Sequence, residues 1–192
     1  MTNGVLVAGV GNIFLGDDAW GVEVATRLSQ GELPENVHVE DFGIRGVHLA
    51  YEILNGYDTV ILVDAAPRGE QPGTVYVMEI DPAATAATSD DFGETGAGVM
   101  DAHRMDPASV VALVGSLGGE VGRLLLVGCE PASTEEGAEL SAPMLGAVDQ
   151  AIVTIRELIE EDAGVGVAGP AVSEHREDLD PVGVGEKGAE HG

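Results

Sequence analysis

The stretch Gly4–Ser29, GVLVAGVGNIFLGDDAWGVEVATRLS, decides the fold. Its opening, Gly4–Ala8, is a short continuous apolar run, the pattern of a parallel strand buried on both faces. Its close, Asp17–Ser29, reads as a helix. Apolar Trp20, Val24, Ala25 and Leu28 fall at i, i+4, i+5 and i+8, and acids occupy the first turn, where the positive end of the helix dipole lies. Between the two, Gly9 and Gly11 supply a tight turn. Strand, tight turn and helix together open an α/β unit.

The same alternation continues along the chain. Val37–Asp41 (VHVED) alternates, which predicts a less buried strand. Gly46–Leu54 predicts a short helix closed by Gly56. Thr59–Val63 (TVILV) is the clearest central strand. Thr74–Glu79 (TVYVME), introduced by Pro72-Gly73, predicts an edge strand or hairpin arm. Asp81–Met105 is aperiodic and rich in small residues, and predicts a loop. Pro107–Leu117 predicts a helix with Asp106 as N-cap and Pro107 at its first position. Arg123–Gly128 predicts the last strand. Ser141–Glu161 predicts the last helix, with Leu145, Val148, Ile152, Ile155 and Ile159 on one stripe. The expected fold is a single α/β domain over residues 1–162. In it a mostly parallel twisted sheet of about five strands is sandwiched between helices. Residues 163–192 are rich in Gly, Pro, Glu and Asp, with no apolar period and no aromatic residue. They predict a disordered acidic tail.

Charge narrows the partners. The 192 residues hold 34 acids against 8 basic residues, a formal charge of −26. The tail contributes six acids and two basic residues, so the rest of the chain still carries −22. Phosphate backbones and anionic lipid headgroups are repelled by such a surface, so nucleic acid and membrane are not expected partners. Cations, metals, neutral ligands and basic protein segments are favoured. One cysteine excludes a disulfide framework and a cysteine-rich zinc module. The N-terminus lacks the positive region of a signal peptide, and no run approaches the ~20 apolar residues of a membrane span. A cytoplasmic monomer is the default expectation.

In open parallel sheets ligands bind beyond the carboxyl ends of the strands. The first strand is followed by a loop ending in Asp17 and Asp18, the second by Asp41-Phe42-Gly43, the third by Asp64, and the last by Cys129-Glu130-Pro131. Carboxylates gathered on one edge repel each other unless a proton or cation lies between them. The long loop offers His103. Two carboxylates and an imidazole make a three-ligand site for a borderline divalent metal, with positions left open for substrate.

Rival chemistries read less well. Gly9-Val10-Gly11 after a strand suggests a dinucleotide fold with Glu40 or Asp41 on the ribose. However, Phe14 stands where the third glycine is required, and aspartates at the next helix start oppose a pyrophosphate. The H-E-x-x-H pattern is absent from the sequence. Ser116 lies in Gly-Ser-Leu-Gly after a helix, not in a strand-borne G-x-S-x-G, and reads as a helix C-terminal residue. Cys129 reads as a buried strand-end residue without the positive surroundings a nucleophilic thiolate needs. His38 and His48 read as surface or half-buried, and His175 and His191 lie in the tail.

With these residues in place the chain resembles the nickel–iron hydrogenase maturation endopeptidases. Gly9-Val10-Gly11-Asn12 with Gly16-Asp17-Asp18 and Gly21-Val22 is similar to their opening motif. Asp41-Phe42-Gly43 with Gly46, Val63-Asp64-Ala65, Pro72-Gly73-Thr74, and Gly128-Cys129-Glu130-Pro131 resemble later blocks, in order, and His103 stands where the family has its loop histidine. The resemblance implies an aspartic-type endopeptidase that removes the C-terminal extension of a nickel-loaded hydrogenase large-subunit precursor. It implies Asp18, Asp64 and His103 as the metal-contacting and catalytic residues, with Asp17 able to exchange roles with Asp18. The nickel would be the substrate's own. The flanks of His103 depart from the family pattern. The same ligands would also serve a metal-binding assembly module that does not cut.

Overall fold

The structure, a computed structural model, describes residues 4–82 and 107–162. His103, the N-cap residue Asp106 and the tail 163–192 lie outside the described residues. Strands β1 (Val5–Val10), β2 (Val37–Gly43), β3 (Thr59–Ala65), β4 (Val75–Ile80) and β5 (Arg123–Cys129) form one sheet in the order β2-β1-β3-β5-β4. The first four in that order are parallel, and β4 closes the edge antiparallel to β5. The choice left open for residues 74–79 is thereby decided for an edge strand. A 3-10 turn, Gly16–Ala19, precedes α1 (Trp20–Ser29). The remaining described helices are α2 (Gly46–Ile53), α3 (Pro107–Ser116) and α4 (Ala142–Asp162).

Strand residues alternate between two cores, since successive side chains point to opposite sheet faces. Val5, Val7, Ile61, Val63, Leu125 and Val127 face α1 and α4, with Trp20, Val24, Leu28 and Ile155 packed over them. Leu6, Ala8, Val60, Leu62, Leu124 and Leu126 face the other way, toward Leu49 and Ile53 of α2 and Val110 and Val114 of α3. Burial on both faces is why β1, β3 and β5 are continuous apolar runs. β2, an edge strand with exposed His38, alternates instead.

Two expectations need correcting. The helix expected from Asp17 begins as a 3-10 turn because Asp17 is drawn into hydrogen bonds with the loop after β5. In α4 the buried stripe is Met144, Ala147, Val148, Ala151, Ile155 and Ile159, whereas Leu145 is 46% exposed. The small side chains Ala147 and Ala151 let the helix approach the core closely. That rotates the buried face one position away from the most apolar reading.

Glycines fix how α1 seats on the sheet. A Cβ on Gly21 would lie 2.1 Å from the Val63 carbonyl oxygen and 2.4 Å from that of Val10, and one on Gly9 would lie 2.5 Å from the Gly21 oxygen. These neighbours are backbone and cannot swing away. Gly21→Ala is therefore expected to destabilise the fold by about 3 kcal/mol through overpacking. An unchanged denaturation midpoint would show that the helix can slide.

Candidate active site at the carboxyl rim of the sheet

β1 lies between β2 and β3, so successive connections leave it on opposite sides and open a crevice at the carboxyl ends of β1 and β3. Gly11 has φ +128°, and a Cβ there would fall 1.8 Å from the Asp18 carbonyl oxygen. Glycine at this position lets the 3-10 turn fold back against the end of β1. Gly11 N–H donates to the Gly43 oxygen at 3.0 Å, tying the end of β2 to the same rim. On the other flank Asp64 is the penultimate residue of β3, paired with Gly128 of β5. It shares its sheet face with Leu62 and is part-exposed.

The structure sorts the rim carboxylates. Asp17 is 1% exposed. Its Oδ1 accepts the Ser141 amide at 2.7 Å. Its Oδ2 accepts the Ala132 and Ser133 amides at 2.7 and 3.0 Å and the Ser141 hydroxyl at 3.0 Å. Burial opposes its ionisation most strongly, but those donors together outweigh it and hold the carboxyl below its ordinary value of 3.8. Asp17 is thus a clasp between the first loop and the loop after β5. Asp18, next to it, points elsewhere. Its Oδ2 accepts the Asn12 amide at 2.6 Å, and its Oδ1 has no hydrogen bond among the described residues. Both Asp17 oxygens accept hydrogen bonds from residues 132–141, whereas Asp18 accepts one from the nearby Asn12.

Glu130 is likewise spent. Its Oε2 accepts the Arg68 amide at 2.6 Å, a bond that with the amides of Glu70 and Gly69 lowers its pKa. It clamps the 66–73 loop after β3, helped by Gly73 N–H to the Glu130 carbonyl at 2.8 Å. Asp41 is exposed, and Arg45 caps the end of β2 through the carbonyls of Asp41 and Phe42. Asp18 stands in the turn after β1 and Asp64 near the end of β3, on the two strands that border the crevice. Their partner in the expected triad, His103, is outside the described residues.

Other expectations fare as the sequence suggested. Cys129 is fully buried, its Sγ 3.3 Å from Met144 Sδ. Burial, and then the charges of Asp17 and Glu130, push the thiol up to about 12, so it stays protonated. Ser116 ends α3, its hydroxyl donating to the Leu113 oxygen. His38 and His48 are exposed. The amide of Asn12, which a phosphate would need in a dinucleotide fold, is already taken by Asp18.

An open groove runs from the first loop along α1 and the loop before α4, lined by Ile13, Gly16, Glu23, Glu139 and Leu145. Ile13 and Phe14, beside Asn12, are 58% and 68% exposed. No described helix is long and apolar enough to cross a membrane. Among the described residues no three His, Cys, Asp or Glu side chains converge as a metal cluster. Reading the sequence missed the clasp roles of Asp17 and Glu130 and gave no role to Arg68 or Tyr76, whose strand position looks like ordinary edge-strand filling.

Residues 22–158 match the family described as hydrogenase maturation protease (HycI). The chain is 33% identical over 184 residues to the hydrogenase expression/formation protein HupD of Rhizobium leguminosarum bv. viciae, covering 92% of this chain and 87% of that one. It is 30% identical to the hydrogenase 2 maturation protease of Escherichia coli, covering 80% and 91%. The hydrogenase maturating endopeptidase HybD of Escherichia coli superposes with a TM-score of 0.63 at 26% identity, over 82% of this chain and 93% of that one. A maturation protease HycI from Thermococcus kodakarensis superposes at 0.59 and 26% identity, over 84% and 93%. The chain belongs to the hydrogenase maturation protease family, and it is an endopeptidase.

Proposed function

We propose that this endopeptidase removes the C-terminal extension of a hydrogenase large-subunit precursor already loaded with nickel. Asp18, Asp64 and His103 read the metal as part of the substrate. The observation that carries the reading is the division of labour at the rim. Asp17 and Glu130 spend their oxygens on backbone donors, while Asp18, whose Oδ1 has no hydrogen bond among the described residues, follows β1 on one side of the switch-point crevice and Asp64 stands near the end of β3 on the other. Carboxylate and imidazole donors suit a borderline divalent cation such as nickel. Bound there, the substrate's own metal polarises the scissile carbonyl or lowers the pKa of an attacking water. Recognition of the loaded precursor is a difference in affinity, since the empty one offers these donors nothing to bind. The acidic surface suits a basic extension.

The decisive experiment incubates the purified protein with loaded and empty precursor and follows the large-subunit mass. Loss of the extension from the loaded form alone is expected. Equal cleavage of both would overturn the metal-reading role. Binding of the loaded form without any mass change would favour a non-cutting assembly module.

A further inference from the structure

The remaining polar feature of the rim is a cation. Five arginines fall among the described residues, and four are engaged. Arg27 pairs with Glu23, Arg123 with Glu79 and Asp162, Arg45 caps the end of β2, and Arg156 donates to the Glu32 carbonyl. Arg68 differs. Its backbone amide is held by Glu130, but its guanidinium has no hydrogen bond or ion pair among the described residues. Instead it lies over the Tyr76 ring, 4.7 Å from the centroid.

Tyr76 is itself fixed. Its hydroxyl donates to the Ala66 carbonyl at 2.7 Å, and its ring lies so close over Gly128 that a Cβ there would fall 2.3 Å from the ring. Gly128 is the register partner of Asp64. The aromatic seat of Arg68 therefore rests on the strand position beside Asp64, on a loop clamped by Glu130. Burial and then the negative charges of Asp64 and Glu130 push the Tyr76 hydroxyl up to about 12 against the opposing effect of Arg68, so the seat stays neutral.

In a domain of strongly negative charge, a guanidinium parked over an aromatic ring at the crevice edge, with no hydrogen bond to its donors among the described residues, is a site for an oxygen acceptor. We propose that Arg68, seated on Tyr76, binds a main-chain carbonyl oxygen of the substrate segment and orients it toward Asp64. Only glycine at position 128 leaves room for that seat. A guanidinium presents parallel N–H donors that an ammonium cannot, so the fork matters as well as the charge. This subsite rests on the processing reading above.

The test compares the unaltered protein with Arg68→Ala, Arg68→Lys and Tyr76→Leu on loaded precursor. Arg68 is exposed, so its variants are expected to keep the melting temperature. Arg68→Ala is expected to lower kcat/KM by about tenfold or more, chiefly through KM, as loss of a charge-assisted hydrogen bond implies. Arg68→Lys, which keeps the charge and loses the fork, should recover only part of the loss. Tyr76→Leu should lower it too, and combining it with Arg68→Ala should add little, because the two act as a unit. Cleavage by the unaltered protein, with Arg68→Ala at full kcat/KM, overturns this inference alone. Failure of the unaltered protein to cleave overturns the processing reading and this inference with it.

Discussion

Asp17→Ala is expected to lower the stability of the folded domain by about 3 kcal/mol, a large share of what a domain of this size has to spare. The carboxylate takes three backbone amides and one hydroxyl from residues 132–141. Alanine leaves those donors without an acceptor and frees the loop that joins β5 to α4. The loss should show as a lower urea midpoint in the purified protein. The same group gives the stability a pH dependence. Its folded pKa lies below the ordinary 3.8, so its contribution is complete above that value and fades as pH falls through the lower folded one. The Asp17→Ala variant should therefore lose less stability on acidification than the unaltered protein. A midpoint unchanged at neutral pH would show that the clasp is dispensable.

The adjacent residue should behave in the opposite way. Asp18→Ala and Asp64→Ala are each expected to reduce precursor processing by about a hundredfold or more. A metal site is sensitive to loss of even its supporting contacts, and these two are proposed as direct contacts. Stability should change little: Asp18 loses one bond to the Asn12 amide, worth about 1 kcal/mol. The double variant should be hardly worse than either single one, since residues acting on one metal fail together. Retention of the full processing rate by either single variant would refute the proposed role of that residue. The contrast between two neighbouring aspartates, one costing stability and the other activity, is the sharpest check on how the rim is divided.

Much of the architecture was legible because parallel strands buried on both faces need unbroken apolar runs. VLVA in β1, TVILV in β3 and RLLLV in β5 have no other stable use in a chain of this composition. The runs stop a residue or two short of the true strand ends, because Asp64, Gly128 and Cys129 continue the backbone ladder without continuing the apolar pattern. Leu145 shows the opposite failure. Its apolarity argued for burial, yet the helix turned Met144 and its alanines inward to approach the core closely.

By itself the sequence determined that acids would gather beyond the carboxyl ends of a parallel sheet, since strand-end residues in such a fold share one edge whatever the details of packing. It also determined the glycines that let the first loop fold tightly. Only the tertiary structure decided which acid does what. Asp17 and Asp18 are chemically identical neighbours, and a turn sends one inward to amides more than a hundred residues away and leaves the other on the nearby Asn12 amide. Glu130 became a clamp and Arg68 a seated cation for the same reason. A carboxylate's or guanidinium's role is set by which donors, rings and backbone the fold brings beside it, and that is a property of distant segments meeting, not of local order along the chain.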